Sequence, residues 1–287
     1  MSGDSRGPVM PGAVLGMGAA LPAADFDVHR RGGVERDLVY ARPGGVPVAM
    51  DLHFPKTGGP WPCVVMIHGG GWSEGDKAGF DLGMARHGFL VATINYRLAP
   101  SFRFPAMIED VKGAIRFLRA HAAEYNLDPG RMALLCHSAG GHLAALAALA
   151  GKEAGWDVGG NLDHSSEVQA VVELSGPADM KLRFAADGPE GLGYTAFDPG
   201  QWETASPITW ARADAPPFLV IHGKADGVVS IEQARILVEA LRRAGATADF
   251  VPVSHAGHGF ESIGGLAWPP IPFLFFKALR FLKRNLR

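Results

Sequence analysis

Cys136-His137-Ser138-Ala139-Gly140 is the stretch on which the fold is read. It follows the apolar run 132–135 and opens an alanine-rich segment, 140–150, so it reads as strand, sharp turn and helix. Such a turn strains the backbone of its central residue and lifts that side chain clear of the sheet, which makes Ser138 the candidate nucleophile. The pattern is a G-x-S-x-G elbow with Cys136 in place of the first glycine. Small residues on both sides let strand and helix approach, so a side chain at 136 is expected to crowd the turn and Cys136→Gly to keep or raise turnover. A serine in such a place is equally the cap of a helix, and the rest of the chain has to decide.

Upstream, residues 34–41 and 46–54 read as two strands joined by the turn Arg42-Pro43-Gly44-Gly45, an antiparallel edge. Residues 63–67 form a continuous apolar run, as expected of a strand buried on both faces of a parallel sheet, with His68-Gly69-Gly70-Gly71-Trp72 at its end. A short helix is expected at 79–87, a buried strand at 89–94, and a helix at 105–125 from the spacing of Ile108, Val111, Ile115 and Leu118. Downstream come a loop at 151–166 and a strand at 168–174. An irregular, aromatic-rich lid spans about 176–216, followed by a strand at 218–221, a helix at 230–244, a last strand at 248–253 and a closing helix at 272–286. Alternating strands and helices imply an α/β fold, a mostly parallel central sheet with helices on both faces, whose site lies at the carboxyl ends of the strands.

Composition narrows the function classes. A chain of 287 residues with 47% hydrophobic and 20% charged residues is an ordinary globular protein, and a net charge of −2 gives no electrostatic reason to expect nucleic acid or an anionic membrane as partner. No run of eighteen apolar residues occurs. Residues 1–33 are read as an N-terminal arm, since Pro8, Pro11 and several glycines break its apolar runs in a way unlike a signal peptide, and 34–287 as one catalytic domain. The two cysteines, Cys63 and Cys136, suggest neither a disulfide framework nor a metal site. They favour a cytoplasmic location, with secretion left open.

Three further groups fall just after strands. A serine hydroxyl needs a base, and the base needs a carboxylate to hold its tautomer and balance its charge. Asp226 follows the strand 218–221 and His258 follows the last strand, giving the order serine, acid, histidine expected on this type of sheet. Asp226 could instead cap the next helix, and His255 competes with His258, but the glycines flanking His258 suit a closely approaching loop that Phe260 can support. Gly70 and Gly71, with the amide of Ala139, are the expected oxyanion hole. Trp72 and Phe260, with the lid aromatics, are expected to line the substrate pocket, while His68, His137, His142 and His222 are read as structural. No metal or cofactor is required by this set.

The segments HGGGWSEGDK (68–77), NYRLAP (95–100), 110–118, 126–144 and 254–260 resemble the α/β-hydrolase superfamily. They are most similar to its hormone-sensitive-lipase-like carboxylesterases and to the bacterial feruloyl and acetyl-xylan esterases. The resemblance implies an α/β-hydrolase fold and a cofactor-free serine carboxylesterase of short acyl or aryl esters, extending to acetyl or feruloyl esters of plant polysaccharide, with Ser138, Asp226 and His258 as triad. The expected partner is a small-molecule ester, and a homodimer is left open. An arylformamidase-like amide hydrolase is the alternative enzyme, since that relative shares an HGG-x-W loop. A non-catalytic binding homologue is the alternative of another class, and the presence of His258 argues against it.

Overall fold

The computed structural model describes residues 32–78, 82–188, 191 and 193–287. Nearly all of the expected arm, and the first part of the expected helix at 79–87, lie outside these residues. One sheet holds eight strands in the order β1-β2-β4-β3-β5-β6-β7-β8. They are β1 (Val34–Ala41), β2 (Val48–His53), β3 (Trp61–Ile67), β4 (Leu90–Ile94), β5 (Leu127–His137), β6 (Ala170–Leu174), β7 (Phe218–Gly223) and β8 (Ala248–Val253). Only β2 runs against its neighbours, and the pairs from β4 to β8 are parallel.

The apolar runs behave as their composition demands. In β3, Val65 and Ile67 join one core layer while Val64 and Met66 join the other, and all four are fully buried. That two-sided burial is why the run does not alternate with polar residues. The first layer packs against α1 (Ala106–Ala120), α2 (Ala139–Leu149) and α4 (Glu232–Ala244), the second against α5 (Ile271–Asn285). The helix expected at 105–125 stops at Ala120 because the chain turns through His121 to reach β5, whose Leu127 pairs with Trp61.

Residues 176–216 are more regular than expected, with a short helix, α3 (Met180–Asp187), and three single turns at Tyr194–Ala196, Pro199–Gln201 and Pro207–Trp210. Two of the lid aromatics are sealed in the interior and offer no surface to a substrate. Phe184 is 2% exposed and Phe197 fully buried, and the Phe184 ring packs against Tyr194, Phe197 and Trp202. These rings make a small core that holds the lid together. Arg103 ties it down by donating to the carbonyls of Thr195 and Phe197, and Gln233 of α4 accepts from the amides of Ala178 and Asp179.

The elbow sits where β5 turns into α2. A Cβ on Gly140 would stand 2.1 Å from the Ile67 carbonyl oxygen, so only glycine allows α2 to lie this close to β3. Position 136 is different, and the expected crowding is absent. The Cys136 side chain is fully buried in the first core layer, with Sγ 3.9 Å from the Val65 carbonyl oxygen, so it fills space that a glycine would leave empty. The expectation that Cys136→Gly relieves the turn is therefore reversed. That variant should lose about 1–3 kcal/mol of stability from a core void and a more flexible strand end, read as a lower thermal unfolding midpoint.

Candidate active site

Ser138 has φ 57° and ψ −123°, the strained conformation expected at the elbow. Two hydrogen bonds hold it there: its N–H donates to the Leu174 carbonyl at 2.8 Å, and its carbonyl accepts from the His142 N–H at 3.0 Å. The hydroxyl stands 2.9 Å from Nε2 of His258. His258 Nδ1 lies 2.8 Å from Oδ2 of Asp226, so Nδ1 carries the proton and Nε2 is left free to accept from the serine. His255 is excluded from this geometry, its ring lying over Gly265.

Asp226 is fully enclosed and has both oxygens occupied. Oδ1 accepts from the amides of Val228 and Val229, each at 2.8 Å, while Oδ2 also meets Nε2 of His222 at 3.1 Å. Burial works to raise the carboxyl pKa, but the hydrogen bonds from His222 and His258 outweigh it and hold the group well below the usual carboxylate range. The acid and histidine loops are locked together by the Ala225 N–H donating to the Ala256 carbonyl at 2.9 Å. His137, just before Ser138, donates from Nε2 to the His258 carbonyl at 2.8 Å, and burial followed by the neighbouring His258 pushes it down to about 4, so it stays neutral.

The triglycine lies against Ser138, since a Cβ on Gly69 would come within 3.1 Å of the Ser138 Cβ. Gly70 (φ 105°) and Gly71 (φ 56°) occupy left-handed conformations that favour glycine, and the Ala139 amide opens α2 beside them. This loop is anchored through the GDK part of its motif. Lys77 Nζ meets Asp37 and Asp51 at 2.8 Å each, and Asn95 accepts from the Lys77 amide at 2.6 Å while donating to Asp76 at 3.0 Å. These anchors were not singled out from the sequence, although a lysine with an aspartate beside a triglycine is itself a visible signal.

Trp72 differs from expectation. It is only 2% exposed, so it offers almost no surface to a substrate. Its Nε1–H donates to Nδ1 of His142 at 3.1 Å, while His142 Nε2–H donates to the Ala205 carbonyl at 2.7 Å. One neutral imidazole thereby links the glycine loop, the elbow helix and the lid, and burial pushes its pKa down to about 4. Phe260 is half-buried against the α5 layer, and its ring neighbours His137 at 6.4 Å.

A strained serine after β5, an acid after β7 and a histidine after β8 on this sheet are the arrangement of the α/β-hydrolase class. Within that class the chain belongs to the BD-FAE family, which matches residues 50–241. It is 34% identical to Esterase LipC of Mycobacterium tuberculosis over 228 residues, 74% of this chain and 56% of that protein. It is 29% identical to isoprenylcysteine alpha-carbonyl methylesterase ICME of Arabidopsis thaliana, over 78% of this chain and 56% of that protein. The chain thus spans little more than half the length of these curated relatives. Among solved structures, a truncated carbohydrate esterase from gut microbiota is 29% identical with a TM-score of 0.75, covering 90% of this chain and 97% of that one. Thermogutta terrifontis esterase 2, phosphorylated by paraoxon, is 28% identical with a TM-score of 0.70, covering 86% and 91%.

The neutral His142 has a measurable consequence. Its folded pKa lies below the unfolded value, so as pH falls from about 6.5 to about 4 the unfolded chain takes up a proton that the folded chain does not. The stability advantage of the wild type over His142→Gln should therefore shrink as pH falls through that window. Thermal unfolding of both proteins at a series of pH values checks it, and a constant difference would contradict the assignment.

Proposed function

We propose that this protein is a serine carboxylesterase working through an acyl-enzyme. The observation that carries the reading is the unbroken chain from Ser138 Oγ to His258 Nε2 at 2.9 Å and from His258 Nδ1 to Asp226 Oδ2 at 2.8 Å. His258 removes the serine proton as Oγ attacks the ester carbonyl, and Asp226 balances the imidazolium that forms. The amides of Gly70, Gly71 and Ala139 receive the oxyanion. His258 then passes its proton to the leaving alkoxide, and a water activated by the same imidazole releases the acid.

Small acyl or aryl esters are the proposed substrates, and acetyl or feruloyl esters of plant polysaccharide are the finer reading. The gut carbohydrate esterase among the structural neighbours supports the carbohydrate reading. No helix among the described residues is long and apolar enough to cross a membrane, and two buried free thiols, Cys63 and Cys136, fit a cytoplasmic place of action.

Ser138→Ala should keep the thermal midpoint near that of the wild type and lower turnover of a short-chain aryl ester by roughly a thousandfold or more. It should also abolish labelling by a fluorophosphonate, and retained turnover would sink the proposal. A panel of acyl esters of graded length, with acetylated and feruloylated xylan and N-formylkynurenine, separates the polysaccharide reading from plain esters and from amide hydrolysis.

A further inference from the structure

Behind Asp226 lies a second pair of ionisable groups that the triad does not use. Glu173 is a carboxylate in the middle of β6, a central strand otherwise made of Ala170, Val171, Val172 and Leu174, and it is 1% exposed. A buried charge in such a strand needs a compensating partner. One oxygen, Oε1, accepts from the Gly176 amide, and Gly141 of α2 closes over the same oxygen. The other oxygen, Oε2, has no hydrogen-bond partner among the described residues.

His222 supplies the counterpart. It is fully buried on β7, the strand paired with β6, where Glu173 registers with Val220, two residues before His222 and on the same face of the sheet. Its Nε2 lies 2.8 Å from the Val229 carbonyl and 3.1 Å from Asp226 Oδ2. Both are acceptors, so Nε2 must carry a proton. Nδ1 has no hydrogen-bond partner among the described residues.

We propose that His222 is a positioning residue for the acid of the triad, and that Glu173 acts through it as a buried counter-charge, so that the two set how firmly Asp226 holds the proton-bearing face of His258. The proposal rests on the esterase reading above. His222 shares Oδ2 with His258, so it fixes the rotation of the carboxylate and takes up part of its charge. Burial acts to lower the His222 pKa, but Asp226 and then Glu173 outweigh it and raise it, while burial raises Glu173 to about 7. The other titratable groups facing the pair are His258 and His137 on the site side and Cys136 from β5. The signs follow. Removing the His222 donor leaves more of the Asp226 charge facing His258, which favours the protonated imidazole. Neutralising Glu173, which burial leaves charged mainly above about pH 7, removes a negative charge from behind His222 and so disfavours protonated His258.

Kinetics of p-nitrophenyl acetate hydrolysis against pH test this with His222→Leu, His222→Gln and Glu173→Gln, each compared by thermal midpoint with the wild type. In His222→Leu, kcat should fall on the order of tenfold at nearly constant KM, with the acid limb of kcat/KM moved to higher pH. His222→Gln, which can restore the donor, should recover most of kcat. Glu173→Gln should move the acid limb the opposite way, to lower pH. Altered midpoints with unmoved acid limbs, or limbs moving the same way in His222→Leu and Glu173→Gln, would overturn the proposal. If His222→Leu does not fold, the direction of the Glu173→Gln shift and the activity of His222→Gln decide alone. Failure of the esterase reading is distinguishable, because the wild type would then neither turn over the ester nor take the fluorophosphonate label.

Discussion

Every part of the site depends on holding Ser138 at a backbone conformation that residues other than glycine rarely adopt. At φ 57° and ψ −123° the turn stores strain, and its neighbours offset that strain: β6 through the Leu174 carbonyl, and the first turn of α2 through the His142 amide. The same turn needs α2 pressed onto β3, which is possible because Gly140 leaves room beside the Ile67 carbonyl. Strand pairing, helix packing and the aim of one hydroxyl are thus a single constraint. It also explains why all of α2 is buried, with alanine, glycine and leucine filling most of its positions.

Histidines tie the loops to that turn. His142 joins the lid carbonyl of Ala205 to the indole of Trp72 and so to the glycine loop, and His137 holds the carbonyl of His258. Both are neutral because burial disfavours their charged form, which lets each serve as a fixed hydrogen-bonding strut beside the candidate site without adding charge. His222 faces acceptors on its Nε2 side and a buried carboxylate across the sheet, so its setting differs from theirs. Chemically identical residues are sorted into different tasks by what surrounds them.

The parts of this arrangement readable in the chain were those with a local signature. Continuous apolar runs marked strands such as β3 and β7 because burial on both faces removes alternation. Ser138, Asp226 and His258 were picked out as candidates by their places after strands, and the three side chains meet because topology brings strand ends together. Roles that depend on distant contacts were read wrongly or missed. Trp72 looked like a pocket wall and is sealed against His142 and Phe197. The lid aromatics looked like a binding surface, and two of them, Phe184 and Phe197, are buried in a core of the lid's own. Cys136 looked crowded and is packed. The anchoring of the glycine loop by Lys77 on Asp51 joins residues 26 positions apart, and no local pattern records such a pairing.

The sequence alone determined the sheet type, the elbow and the order of the three candidate groups, because hydrophobic periodicity and turn chemistry act between near neighbours in the chain. Tertiary structure decided which histidine faces Ser138, that the side chain at position 136 fills core space rather than crowding the turn, and where the proton sits on His142 and His258. Those outcomes depend on burial and on acceptors brought in from other strands, as when the carbonyl of Ala205 fixes the tautomer of a histidine 63 residues earlier.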